Sequence, residues 1–223
     1  MRAYHFMSER WALSAIRSNC LKLARLADMN DPFELLAIDL PKRRDRECFN
    51  ALKDEMNDTI DLLCFSRSWS NPVLWSHYGD KHRGICLGFD IPDEFVKPVT
   101  YQGKRLASRI EQVVARHSNE TVGYKLLTTK YEHWRYEDEV RLILKLKDVP
   151  GEGDHYFAPF GSGLRLREVI TGHRCQLSSR DIRGVVESAG HRALITRGRL
   201  AFRTFTVVRN RAAQNWAETK AGE

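Results

Sequence analysis

The chain lacks the signatures that identify many proteins at a glance. No apolar run approaches the roughly eighteen residues that a membrane-spanning helix needs. Its first residues, Met-Arg-Ala-Tyr-His-Phe, contain no apolar signal core. The five cysteines (Cys20, Cys48, Cys64, Cys86 and Cys175) are odd in number, widely spaced and without a Cys-x-x-Cys pair. That pattern argues against a disulfide framework or a thiolate zinc site and suits reduced thiols in a cytoplasm. No G-x-G-x-x-G follows a strand and no P-loop occurs, which excludes the common Rossmann and P-loop nucleotide sites. No G-x-S-x-G elbow is present, so Ser66, Ser68, Ser70 and Ser76 read as caps and turn residues rather than nucleophiles. Internal repeats and low-complexity segments are absent too.

What the chain does have is enough apolar material for one core: 223 residues, 42% hydrophobic. With 29% charged residues and that apolar content it is not a disordered chain. The formal charge of +7 points to an anionic partner: a nucleotide, a nucleic acid or an acidic protein. The basic residues are dispersed, with dense clusters only at Lys42-Arg43-Arg44 and around Arg209 and Arg211. The continuous basic stripe usual in single-strand binders is not visible.

Local patterns predict short strands at Tyr4–Phe6, Leu21–Leu23, Ile60–Phe65, Gly84–Phe89, Val96–Tyr101, Glu139–Leu146, Val169–Thr171 and Leu200–Val208. Helices are predicted over about 9–18, 43–57, 73–78, 108–127 and 178–189. Ser70 or Asn71, with Pro72 at the first helical position, and Ser178 with Asp181 supply N-terminal caps for the third and the last. Strands mixed with helices, without regular βαβ spacing, indicate an α+β fold. We read residues 1–208 as a single domain of short mixed or antiparallel strands with flanking helices, and 209–223 as a polar C-terminal tail.

The richest stretch runs from Cys64 to Asp90. It holds Trp69, Trp75, Tyr78, His77 and His82 among serines and glycines, a mixture suited to a pocket for a polar, partly planar ligand. A second stretch, Trp134 to Arg141, contains Glu137 and Glu139. Two apart on a strand, these would share a face and could serve as a catalytic carboxylate pair. The plain alternative is a solvated strand face with cross-strand ion pairs. His77 and His82, with Asp80 between them, could begin a metal site, but they form no helical i,i+4 pair and no further His-rich motif accompanies them. They therefore read as structural or ligand-bonding residues, with no metal expected. His5 reads as a core strand residue or a ligand contact. Asn30-Asp31-Pro32-Phe33-Glu34 reads as a turn or as a loop lining a cleft.

Taken together, Asn30 to Glu34, Phe65-Ser66, Asn71-Pro72, Trp75 to Tyr78, Gly84 to Phe89, Tyr136-Glu-x-Glu-x-Arg141 and Glu168-Val-Ile-Thr-Gly172 resemble the bacterial domain-of-unknown-function family 2971. Some members of that family accompany phage-defence genes. The layout also resembles, more loosely, the ADP-ribosyltransferase fold, which implies a split sheet and NAD as substrate. In that resemblance His5, Tyr4 and Tyr78 would lie on the nicotinamide side and Ser66 on the ribose side. Trp75 and Asn30 would complete the dinucleotide site, with Glu139 the catalytic carboxylate and Glu137 its partner. The implied activity is transfer of ADP-ribose to a nucleic-acid or protein acceptor, or hydrolysis of NAD, in anti-phage defence or as a toxin. Two rivals remain at this level: a nuclease using His77 and His82, and a non-catalytic sensor binding through Trp75. No membrane partner is expected.

Overall fold

A computed structural model of the chain describes residues 1–106 and 120–211. Strands and helices alternate irregularly, so the α+β class is as the sequence indicates. The contact pattern divides the chain into two compact units: one of Met1–Lys22, Phe65–Val96 and Ala158–Glu223, the other of Leu23–Cys64 and Lys97–Phe157.

The first unit is built on a mixed sheet. Strand Arg2–Met7 runs antiparallel to Ile85–Asp90, which runs antiparallel to Arg165–Thr171. That strand continues through helix Ser179–Ser188 into Leu194–Leu200, lying parallel to it from Glu168↔Leu194 onward. Val207–Arg209 then closes the edge as the second arm of a hairpin. The helix starts where its cap predicts: Ser178 Oγ accepts from the Asp181 N–H, and the Asp181 carboxylate accepts from the Ser178 N–H. The short helix Pro72–His77 is likewise capped by Asn71, whose side chain accepts from the Val73 N–H. It drops Trp75 onto a cluster of Cys86, Ile170 and Val207, with Phe6 edge-on at 5.1 Å.

In the second unit strand Ile60–Ser66, whose last two residues belong to the first unit, lies between Ala24–Arg25 and Glu139–Lys145. Lys97–Pro98 borders the latter, and a separate parallel pair joins Thr100–Gln102 to Thr129–Tyr131. Helix Arg43–Thr59 presents Phe49, Leu52 and Met56, spaced at helical period, to a core with Leu35, Ile38, Leu62 and Leu126.

Three local expectations change. The strand predicted over Leu200–Val208 is instead a hairpin whose tip, residues 201–206, separates two strands. The strand predicted over Val96–Tyr101 is broken into Lys97–Pro98 and Thr100–Gln102, as Pro98 cannot donate to a ladder. Of the helix predicted over 108–127, Glu120–Leu127 is helical, while 107–119 lie outside the described residues, as does the tail from 212 onward. Residue 209 belongs to the last strand rather than to a tail.

Candidate functional site

The paired glutamates of the second unit do not lie on one strand face. Glu137 ends a 3-10 turn, Asp138 takes a left-handed backbone with φ 44°, and only Glu139 begins the strand. The kink nevertheless brings both carboxylates to one ammonium, Lys130 Nζ, at 2.7 Å from Glu137 and 3.3 Å from Glu139. Glu139 is saturated further by Arg141, with Nε at 2.7 Å from one oxygen and Nη2 at 3.1 Å from the other. Arg141 is fully buried. Its remaining donors go to the Glu34 carboxylate and to the Leu127 carbonyl, the latter at 2.7 Å.

Glu34 reaches this cluster from the Asn30–Glu34 loop. Asp31 shapes that loop by accepting from the Phe33 N–H at 2.9 Å; Asn30 itself is exposed. The Lys130 ammonium also lies 4.8 Å from the Trp134 ring centre. Burial pushes the Cys64 thiol well up, and the neighbouring Glu139 charge adds to the shift. Burial likewise pushes Tyr101, whose hydroxyl accepts from the Glu139 N–H, up to about 12. Glu139 is held below the usual carboxylate range because Arg141 and Lys130 outweigh the cost of its burial. Three carboxylates and two cations thus form a closed cluster rather than a solvated strand face. A catalytic role for Glu139 requires these pairs to open.

In the first unit the register arranges the sequence-predicted residues differently. Tyr4 stands opposite Ser66 on one side and Gly88 on the other, and Gly88 stands opposite Glu168. Ser66, Tyr4, Gly88 and Glu168 therefore form one row across four strands. Gly88 lets these side chains approach closely: a Cβ there would sit 3.0 Å from both the Tyr4 ring and Glu168 Cβ, so one of them would have to give. His5, one residue on, points to the opposite face and packs on Phe65 at 5.5 Å. Tyr4 and His5 thus cannot line the same pocket, which corrects their pairing as joint ligand contacts.

Trp75, expected as a ligand contact, is a core residue. It is fully buried, and its indole N–H donates to the Trp69 carbonyl at 2.7 Å. Ser66 is buried, and its Oγ accepts from the Ser68 N–H. Tyr78 caps the helix that carries Trp75. His82 stacks on Trp75 and meets His173 edge-on at 4.8 Å, and burial lowers both imidazoles below their ordinary value. The turn leading to it holds three consecutive non-glycine residues at positive φ: Asp80, Lys81 and His82.

The row ends at a cavity of about 990 Å³ in this same unit. It opens where Arg165–Glu168 runs ahead of its parallel partner, whose pairing begins only at Leu194. Its lining residues include four arginines, Arg2, Arg165, Arg167 and Arg192, and a single carboxylate, Glu168. Arg2 bridges Asp90 at 2.5 Å and Glu168 at 2.6 Å, Arg167 reaches Asp90 at 3.1 Å, and Arg209 reaches Glu168 at 3.4 Å. Arg165 and Arg192 are exposed and make no ion pair within the described residues. Glu168 is only 8% exposed, yet its Oε2 has no hydrogen-bond partner among the described residues. Phe160 and His191, with ring centres 5.4 Å apart, form an aromatic part of the wall. Gly190, at φ 76°, ends the helix and turns His191 toward that wall, and burial keeps the imidazole below its ordinary pKa.

Reading the sequence alone overlooked this cleft. Its arginines are scattered along the chain, and alternation places Glu168 on the face of Leu166-type neighbours rather than with Tyr4. A β-bulge between Leu166 and Glu168 inserts Arg167 as an extra residue and reverses that alternation. The one signal available was Glu168 itself, the first residue of the Glu168–Gly172 motif.

Comparison with known proteins bears on this stretch by stretch. Residues 74–142 match a family model described as "Protein of unknown function (DUF2971)". No curated protein and no solved structure matches the chain. The family resemblance is thereby supported over that segment, and the looser resemblance to ADP-ribosyltransferases has no structural relative behind it.

Proposed function

We propose that the first unit binds a nucleotide in the arginine cleft and that Glu168 is the residue that addresses its ribose. The observation that carries this is the buried Glu168 carboxylate, whose Oε2 has no hydrogen-bond partner among the described residues, in the wall of a cavity lined by four arginines. Guanidinium groups favour phosphate, because their planar forks match its oxygens. A lone acceptor oxygen among them favours a ligand that also carries hydroxyl donors, since a buried acceptor left unmade costs about 1–3 kcal/mol. Phe160 and a neutral His191 offer a flat, partly polar surface for a base. Phosphate, ribose and base together describe a nucleotide, and the cavity lies at the upper end of the size range for small-molecule sites.

NAD is the dinucleotide to which the sequence resemblance leads. Glycohydrolase or transferase chemistry on it needs a carboxylate beside the ribose, where positive charge develops as nicotinamide leaves. Glu168 Oε2 has no hydrogen-bond partner among the described residues, whereas both oxygens of Glu139 are engaged by Lys130 and Arg141.

Titration calorimetry with ADP-ribose and NAD, with NAD consumption followed in parallel, tests the reading. Wild type binds ADP-ribose, and Glu168→Gln weakens binding by about tenfold, the loss of one charge-assisted hydrogen bond. Absence of ADP-ribose and NAD binding by wild type defeats the nucleotide reading. Binding without NAD consumption, unaltered by Glu168→Gln, defeats the role given to Glu168.

A further inference from the structure

The hairpin that replaces the predicted last strand carries the most exposed aromatic side chains of the described residues. Phe202 and Phe205 are 94% and 99% exposed, and Leu200 at the hairpin's entry is 47% exposed. Isolated surface aromatics need no explanation, but two nearly naked rings three residues apart on one tip are unusual for a free protein surface.

The tip is not a loose end. The Ala201 N–H donates to the Thr206 carbonyl at 2.9 Å, the Thr204 and Thr206 hydroxyls share a hydrogen bond of 2.7 Å, and the Val207 N–H is anchored on the Ser70 carbonyl at 2.7 Å. The rings are therefore presented on a braced turn, which lowers the ordering cost of binding through them. Cations accompany them. Arg199 lies 5.1 Å from the Phe202 ring centre, and the exposed Arg203 stands between the two phenylalanines.

We infer that this tip is a stacking platform for single-stranded nucleic acid, with Phe202 and Phe205 taking bases and Arg199 and Arg203 taking the adjoining phosphates. Aromatic faces interleaved with arginines match unpaired bases on a polyanionic backbone, and the chain's charge of +7 supplies the general attraction. The geometry gives the strand a direction. Four residues beyond Phe205 the returning arm delivers Arg209 to Glu168, at the wall of the arginine cleft. At strand rise that is about 13 Å, a span within the reach of a strand of roughly four nucleotides, the short end of such site sizes. The tip thus extends the nucleotide reading to a polymeric partner. It rests on that reading only for where the strand leads, not for the stacking itself.

Fluorescence anisotropy on the full chain, with a labelled single-stranded oligonucleotide of about twelve nucleotides in DNA and RNA forms, is the test. Wild type binds the single strand more tightly than a duplex of the same sequence. The double substitution Phe202→Ala, Phe205→Ala weakens single-strand binding by at least about tenfold, leaving the thermal midpoint, the salt dependence and ADP-ribose binding unchanged. The double substitution Arg199→Ala, Arg203→Ala flattens the dependence of log affinity on log salt by about one to two.

Single-strand affinity that survives loss of both phenylalanines overturns the inference. So does a phenylalanine-dependent attachment to phosphatidylserine-containing vesicles, or phenylalanine-dependent self-association in sedimentation, without oligonucleotide binding. ADP-ribose binding that needs Glu168, with no oligonucleotide binding, removes the platform and leaves the cleft. Phenylalanine-dependent oligonucleotide binding without ADP-ribose binding does the reverse.

Discussion

In the second unit Glu139 shares its two oxygens among three donor nitrogens, from Lys130 and from Arg141 twice. In the first unit Glu168 sets one oxygen against Arg2 and Arg209, and its other oxygen has no partner among the described residues. Both carboxylates are buried, and burial alone therefore does not distinguish a structural group from a functional one. The count of filled lone pairs does. A charge whose partners are all internal has been compensated by the fold. A buried acceptor that the fold does not pair, beside a basic cavity, is a place where a ligand's donor recovers what desolvation cost.

The sharpest way to break this contrast is to remove a partner from the closed cluster. Arg141→Met would leave Glu34 and Glu139 buried without their shared cation and should destabilise the protein by about 3–5 kcal/mol, read from chemical denaturation. Glu168→Gln, whose partners Arg2 and Arg209 are both solvated, should change stability far less while weakening ADP-ribose binding. A stable Arg141→Met protein beside an unfolded Glu168→Gln protein would invert the comparison.

Gly88→Ala asks whether the row, rather than Glu168 alone, shapes the cleft. The added methyl would sit 3.0 Å from Tyr4 and Glu168 Cβ. It should cost about 1–3 kcal/mol through overpacking and lower ADP-ribose affinity by moving the carboxylate. Unchanged affinity in a folded variant would detach Gly88 from the site.

The smallest effect separates the units by pH. In the first unit burial lowers His82, His173 and His191, so the unfolded chain binds more protons than the native one once pH drops below the ordinary imidazole value near 6.5. Stability should decline on acidification below that point. In the second unit burial raises Asp61 to about 6, against only a partial offset from Arg25 3.5 Å away. The native state there holds the extra proton, so this contribution is present at low pH and is lost as pH rises through about 6. Denaturation midpoints between pH 4.5 and 8 should therefore fall more steeply with acid in Asp61→Asn than in wild type. An identical slope would remove Asp61 from the account.

Much of the fold was legible because it rests on local rules. Helical spacing exposed the Phe49, Leu52, Met56 stripe, and Asn71-Pro72 and Ser178-Ser-Arg-Asp181 announced helix starts through the chemistry of capping. The aromatic stretch around Trp75 reads from sequence as a ligand pocket, but Trp75 itself is core. A large ring with one N–H satisfies itself as readily against a backbone carbonyl as against a ligand, and sequence does not say which. Glu137 and Glu139 do come together, at the Lys130 ammonium and not on one strand face. Their meeting point was not legible, because it depends on the left-handed backbone at Asp138 and on Lys130, which precedes them.

The sequence by itself determined the α+β class, the caps, the core stripes and a set of charged and aromatic residues too particular for packing alone. Only the tertiary structure decided which of those charges are closed and which are open. A single extra residue at the Arg167 bulge turns Glu168 from one face of its strand to the other, and register then lines it up with Gly88, Tyr4 and Ser66. Period-two alternation is a local property, whereas the bulge and the pairing are set by strands up to a hundred and more positions away. That distance is why the cleft could not be read along the chain.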